Sequence, residues 1–178
     1  MINQKRLDQI KWCIYAALLL LLYVLQTTPG VFMIRGVKPM LLLPLAVAVA
    51  CFESPLASGV FGMFCGLFTD AAADYLLGFN AIIFLVCCVL ISLIHTNYLK
   101  SRLLDTLIAV LGVLLLQRSL DYFFYYSIWN LDPDGYLFLH LVLPTAGYTL
   151  LCCIPLHYLV KLIETKLQED ENDLKLDR

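Results

Sequence analysis

Charge is what this chain lacks most when set against a soluble domain. Asp, Glu, Lys and Arg together make up 15% of its 178 residues, whereas 61% are hydrophobic. A soluble domain carries about a quarter charged residues. Here the polar side chains are too few to cover a surface facing water, which excludes an ordinary globular domain and makes lipid the solvent for most side chains. A net charge of −2, with no basic stripe and no interleaved aromatic platform, excludes a nucleic-acid partner.

Chemistry-bearing patterns are equally scarce. The seven cysteines, Cys13, Cys51, Cys65, Cys87, Cys88, Cys152 and Cys153, all fall in apolar runs. None makes a CxxC pair or has a histidine at ligand spacing, so they read as packing or lipid-facing residues without a disulfide framework. His95, His140 and His157 are far apart and form neither HxxxH nor HExxH. No GxSxG elbow, Walker A loop or dinucleotide fingerprint occurs. The expectation is a protein without metal or cofactor, and not an enzyme.

What the chain does have is long apolar segments. A bilayer core of about 30 Å takes about 20 helical residues. The reading is all-α: a polytopic membrane helix bundle of about six helices near 12–28, 39–52, 56–70, 78–95, 103–129 and 137–162. The first resembles a signal peptide in its basic start, Lys5, Arg6 and Lys11, but it is long enough to span and shows no cleavage site, so it reads as retained. It should stop at Thr27-Thr28-Pro29-Gly30. The stretch from Pro39 to Thr69 would be about 46 Å as one helix, and Pro55 would break it. Two short helices around the Glu53-Ser54-Pro55 turn fit better, each needing bilayer thinning, extension or a re-entrant path. Glu53 reads as a solvated turn acid. The residues 164–178 form a charged tail, expected to be frayed and solvated.

Charge orients the bundle. With six spans and a cytoplasmic N-terminus, Lys5, Arg6, Lys11, Lys100, Arg102, Lys161, Lys166, Lys175 and Arg178 lie inside and only Arg35 and Lys38 outside, as the positive-inside rule asks. An odd number of spans would put Lys161 and Lys166 on the wrong side. Asp70, Asp74, Asp132 and Asp134 are then external, and Tyr122, Phe123, Phe124, Tyr125, Tyr126 and Trp129 form an aromatic belt beside the turn at 130–135. His95 falls near the inner end of the fourth helix.

The segment from Ser58 to Ala81 is the most informative. Ser58, Gly62 and Gly66 recur every four residues and make a small-residue stripe that lets another backbone approach closely. Asp70 continues that face. The stripe reads as a tight helix contact ended by a solvated acid, against a partner-binding or ion-binding role. Gly78 allows a tight entry into the next helix, and Asn80 is placed to cap it. Further on, Arg118 and Asp121 sit three apart and can pair within the membrane.

The ordered combination Gly66-Leu67-Phe68-Thr69-Asp70, then Leu77-Gly78-Phe79-Asn80-Ala81, is far more specific than its parts. In this motif, in length and in hydropathy profile the chain resembles the bacterial rod shape-determining protein MreD family. The resemblance implies a fold like the substrate-binding subunits of energy-coupling-factor vitamin transporters. It also implies a non-catalytic scaffold of the cell-elongation machinery in the inner membrane, beside an MreC-like membrane protein and cell-wall synthases and, indirectly, actin-like MreB. The alternative is a vitamin-binding transporter subunit, for which Asn80, Gln117, Arg118 and Asp121 are the available polar groups. A lipid-modifying enzyme using the external aspartates ranks last.

Overall fold

A computed structural model describes residues 2–28, 39–73, 77–98, 103–129 and 135–176, and among these the chain is all-helical. The helices are α1 (Ile2–Thr27), α2 (Leu42–Ala50), α3 (Pro55–Ala73), α4 (Phe79–Tyr98), α5 (Leu103–Trp129) and α6 (Gly135–Leu176). Five of them, all but α2, are long and apolar enough to cross a membrane. Pro29, Gly30, Arg35, Lys38, Asp74, Lys100, Arg102, Asn130 to Asp134 and Arg178 lie outside the described residues, as do the side chains of Lys5, Tyr125, Tyr126, Trp129, His140 and Lys175.

Helix boundaries differ from the sequence reading where hydropathy was the guide. α1 starts ten residues before its apolar stretch, because a helix does not end where lipid ends and Asn3 to Lys11 contains no breaker. α3 has 19 residues, about 28 Å, and so needs no bilayer thinning. α6 runs on to Leu176, so the tail is a helical extension rather than a frayed one. Thr145 and Thr149 are buried on its first membrane turns, as is Glu164 at the far end of its membrane stretch.

α2 is the centre of the bundle. Its sequence, LLPLAVAVA, is apolar on every face, and all nine residues are buried. A helix with no polar side has to be enclosed by protein or lipid. α2 is enclosed by protein, packing against all five other helices. Ala46, Ala48 and Ala50 let those neighbours come close. Pro44 sits in the first turn, where a missing N–H costs nothing. The other free donors at that end are met from a distance: Leu41 and Leu42 donate N–H to Gln26 Oε1 at 2.9 and 3.3 Å, and Met40 to Thr149 Oγ1 at 3.2 Å. Glu53-Ser54-Pro55 then ends the helix and starts α3, as expected.

These contacts fix how the chain weaves. The start of α2 lies beside Gln26, at the end of α1, and beside Thr149 of α6. Its other end delivers Glu53 to Lys11 of α1, while Glu164 of α6 reaches the same lysine. α2 therefore runs antiparallel to α1 and connects the two ends of the bundle although it is only about 13 Å long. Asp70 of α3 meets Asn80 of α4, which meets Gln117 of α5, at the end away from the chain termini. Thr106 of α5 meets His157 of α6 at the terminal end. The six helices alternate in direction, which brings the start of α1 and the end of α6 to the same end of the bundle. Reporters fused to the N-terminus and to the C-terminus should give the same compartment signal, and opposite signals would refute the weave.

Candidate functional site

The small-residue stripe faces inward. α3 and α4 form the closest helix pair, and Gly62 and Gly66 are where they meet. A Cβ on Gly66 would sit 2.6 Å from the Ala81 nitrogen and from the Asn80 oxygen. One on Gly62 would lie 2.7 Å from Cys88 Sγ and 2.9 Å from the Phe84 oxygen. Ser58 Oγ reaches the Cys88 carbonyl at 3.4 Å. The stripe is thus an internal seam, and of the two readings left open for it the helix contact holds.

Asp70 ends the seam, but it is not solvated: it is 1% exposed. Its carboxylate accepts N–H bonds from Gly78 at 2.9 Å, Asn80 at 3.2 Å and Ala81 at 3.4 Å, and a fourth from Asn80 Nδ2 at 2.7 Å. The first backbone donors of a helix have no partner of their own and carry the positive end of its dipole. Asp70 satisfies them from the neighbouring helix. The cap of α4 is therefore Asp70, and the expected role of Asn80 is corrected: its Oδ1 accepts instead from Gln117 Nε2 at 2.7 Å. Gly78 has φ of 98°, a left-handed conformation that brings the chain back under Asp70 and that side chains disfavour. Gly66, Asp70, Gly78 and Asn80 of the motif serve one junction, and Gln117 ties it to α5.

The polar groups weighed as ligand contacts bond within the bundle. Asn80 and Gln117 bond to each other, leaving Gln117 Oε1 buried without a hydrogen bond. Arg118 leans toward the start of α2, with Nη2 3.7 Å from Met40 Sδ. It also pairs with Asp121 at 3.8 Å, as its spacing predicts. Between α5 and α6 runs a surface groove of about 370 Å³ lined by Leu107, Ile108, Leu111, Leu150, Leu151 and Ile154, which gives a substrate nothing to hydrogen-bond.

A second polar centre, unforeseen in the sequence, lies at the terminal end. Lys11 sits between Glu53 and Glu164, and Tyr15 donates its O–H to Glu164 Oε1 at 3.0 Å. The solvated turn acid expected at Glu53 is instead half-enclosed and ion-paired. Ser92 Oγ bonds the Glu53 carbonyl at 2.6 Å. Nearby, Thr106 Oγ1 lies 2.9 Å from His157 Nδ1 and 3.5 Å from Cys51 Sγ, while His95 is buried with Nδ1 on the Ile91 carbonyl at 3.1 Å. One signal was available: a six-helix order puts Lys11, the turn that carries Glu53 and the start of the charged tail at the same end.

Among the described residues no set of three or more His, Cys, Asp or Glu is arranged to hold a metal ion. All seven cysteines are free, and Cys51, Cys65, Cys88 and Cys153 are buried. Compared with family models, with curated proteins and with solved structures, the chain gives no match.

Proposed function

We propose that this chain is a non-catalytic membrane scaffold of the bacterial cell-elongation machinery, of the MreD kind, that holds an MreC-like membrane protein and cell-wall synthases in the inner membrane with both termini cytoplasmic. The observation that carries the reading is the state of Asp70. The most chemically capable group in the motif is buried and accepts four bonds, which supports a motif that builds a rigid junction between α3 and α4. The central position of α2 supports it too, because that helix fills the interior where a transporter subunit would keep a ligand cavity. What remains for function is the outside: rigid apolar helix faces, such as Val86 on α4 and Ile108 on α5, with which other membrane helices can pack.

The test is photo-crosslinking in native membranes from residues placed at Val86 and Ile108. The expected result is capture of an MreC-like protein or a synthase from at least one position. Crosslinks to lipid alone from both would remove the scaffold reading. Thermal stabilisation of the purified protein by one member of a vitamin panel would favour the transporter alternative.

A further inference from the structure

The groove between α5 and α6 opens to the lipid side of the bundle, where Ile108 and Leu151 in its walls are 70% and 65% exposed. Both helices carry its line further toward the end away from the chain termini. On α6, Gly147 precedes Leu151 by four residues and Ile154 by seven, so it belongs to the same face. Nothing lies within 4 Å of where its Cβ would be, and the path stays open there. On α5, Arg118 follows Leu111 by seven residues, two turns on and within about 20° of the same face. Its guanidinium reaches Met40, whose N–H is bonded to Thr149 of α6, and this places it on the α6 side of α5.

Arg118 is poorly satisfied where it stands. Its Nε is buried without a hydrogen bond, its Nη2 meets a sulfur at 3.7 Å, and its Nη1 is 3.8 Å from Asp121 Oδ2. A charge-assisted bond runs to about 2.7–2.9 Å, so this ion pair is loose. Both side chains remain accessible, at 25% and 30% exposed. The depth also fits a lipid. The apolar stretch of α5 ends at Phe124. Asp121 is about 4.5 Å and Arg118 about 9 Å inside that edge, and an arginine stem is long enough to carry its head to the headgroup level. From Arg118 down to Leu107 is about 16 Å, close to half of a ~30 Å hydrocarbon core and therefore the depth of one leaflet.

We propose that this cleft binds one phospholipid with an ethanolamine-type headgroup, in the leaflet away from the chain termini. An acyl chain lies in the α5–α6 groove, the phosphate rests on Arg118 and the primary ammonium on Asp121. The order along α5 carries the assignment. An apolar groove, then a cation, then an anion about 4.5 Å further out is complementary to chain, phosphate and ammonium in that sequence. The guanidinium fork suits a phosphate, and an ammonium donates to a carboxylate. A headgroup with phosphate alone would satisfy Arg118 but meet Asp121 as a like charge. A choline headgroup has no N–H to give Asp121. A partner helix in the groove would cover its walls but needs neither charge.

Native mass spectrometry of the delipidated protein, given ethanolamine, glycerol and choline phospholipids with the same chains, tests the site. The parent should retain the ethanolamine lipid about fivefold or more over the other two, as one charge-assisted bond implies. Asp121→Asn should remove the preference over the glycerol lipid. Arg118→Gln should lower retention of all three, as should Gly147→Leu, which fills the groove and leaves both charges in place. Where a variant does not fold, the thermal midpoint of the parent decides: it should rise most with the ethanolamine lipid. Equal retention of the three lipids by the parent, an Asp121→Asn protein that keeps the parent's preference, or a Gly147→Leu protein that retains as much lipid as the parent overturns the site. So do photo-crosslinks from Leu151 in native membranes that reach protein and no lipid. The scaffold reading stands or falls separately, on protein captured from Val86 of α4, outside this groove.

Discussion

Gly66→Leu is expected to leave no stable bundle. The atoms a side chain would meet at position 66 are backbone atoms of α4, the Ala81 nitrogen and the Asn80 oxygen at 2.6 Å, and backbone cannot rotate out of the way. The two helices would have to separate, and Asp70 lies one turn further on the same face. Separation would therefore also strip the carboxylate from Gly78, Asn80 and Ala81. Overpacking and the orphaned donors together should cost about 4 kcal/mol or more, a large part of any small protein's stability. Gly112 is the control, because nothing lies within 4 Å of where its Cβ would be. Gly112→Ala should be neutral or stabilise by up to about 1 kcal/mol, since alanine is the better helix former. Thermal midpoints in one detergent decide the matter, and a Gly66→Leu protein as heat-resistant as Gly112→Ala would show that the seam can yield.

That seam was legible in the sequence, and its partner was not. Four-residue spacing of Ser58, Gly62 and Gly66 marks a face that admits close approach, whatever approaches. Nothing in the spacing says whether α4, α2 or another protein arrives. In water the alternation of polar and apolar residues would answer, but in lipid both the inward and the outward faces of a helix are apolar. Val47 in the centre of the bundle and Val86 on its outside are the same residue type in similar company. For the same reason α2 could be placed as a short helix but not as the enclosed one. Glu53 failed differently: its fate depends on Lys11 and Glu164, which come from two other helices, and a turn acid read locally is solvated by default. The pair Arg118 and Asp121 was readable because three residues on one helix fix their geometry.

Asp70→Ala should be the most damaging change of a single polar side chain. It leaves three backbone N–H groups and Asn80 Nδ2 facing a void that is 1% exposed, each orphaned donor worth about 1–3 kcal/mol. Relaxation and water entry recover part of this, so the expected loss is about 4 kcal/mol. Asp70→Asn is the sharper probe. It keeps the shape, but it removes the charge that opposes the α4 dipole and turns an NH₂ group toward donors that need an acceptor. It should therefore lose most of what Asp70→Ala loses; a near-normal midpoint would mean that size, not charge, holds the junction. Asn80 feeds the same carboxylate, so Asp70→Ala and Asn80→Ala should combine to less than their sum, with a coupling of more than about 1 kcal/mol. The comparison also bears on function. If the motif acts by holding the bundle, partner capture from Val86 and Ile108 should fall in step with the folded fraction across these variants. An Asp70→Asn protein that stays folded yet loses its partners would instead place the acid in the contact itself.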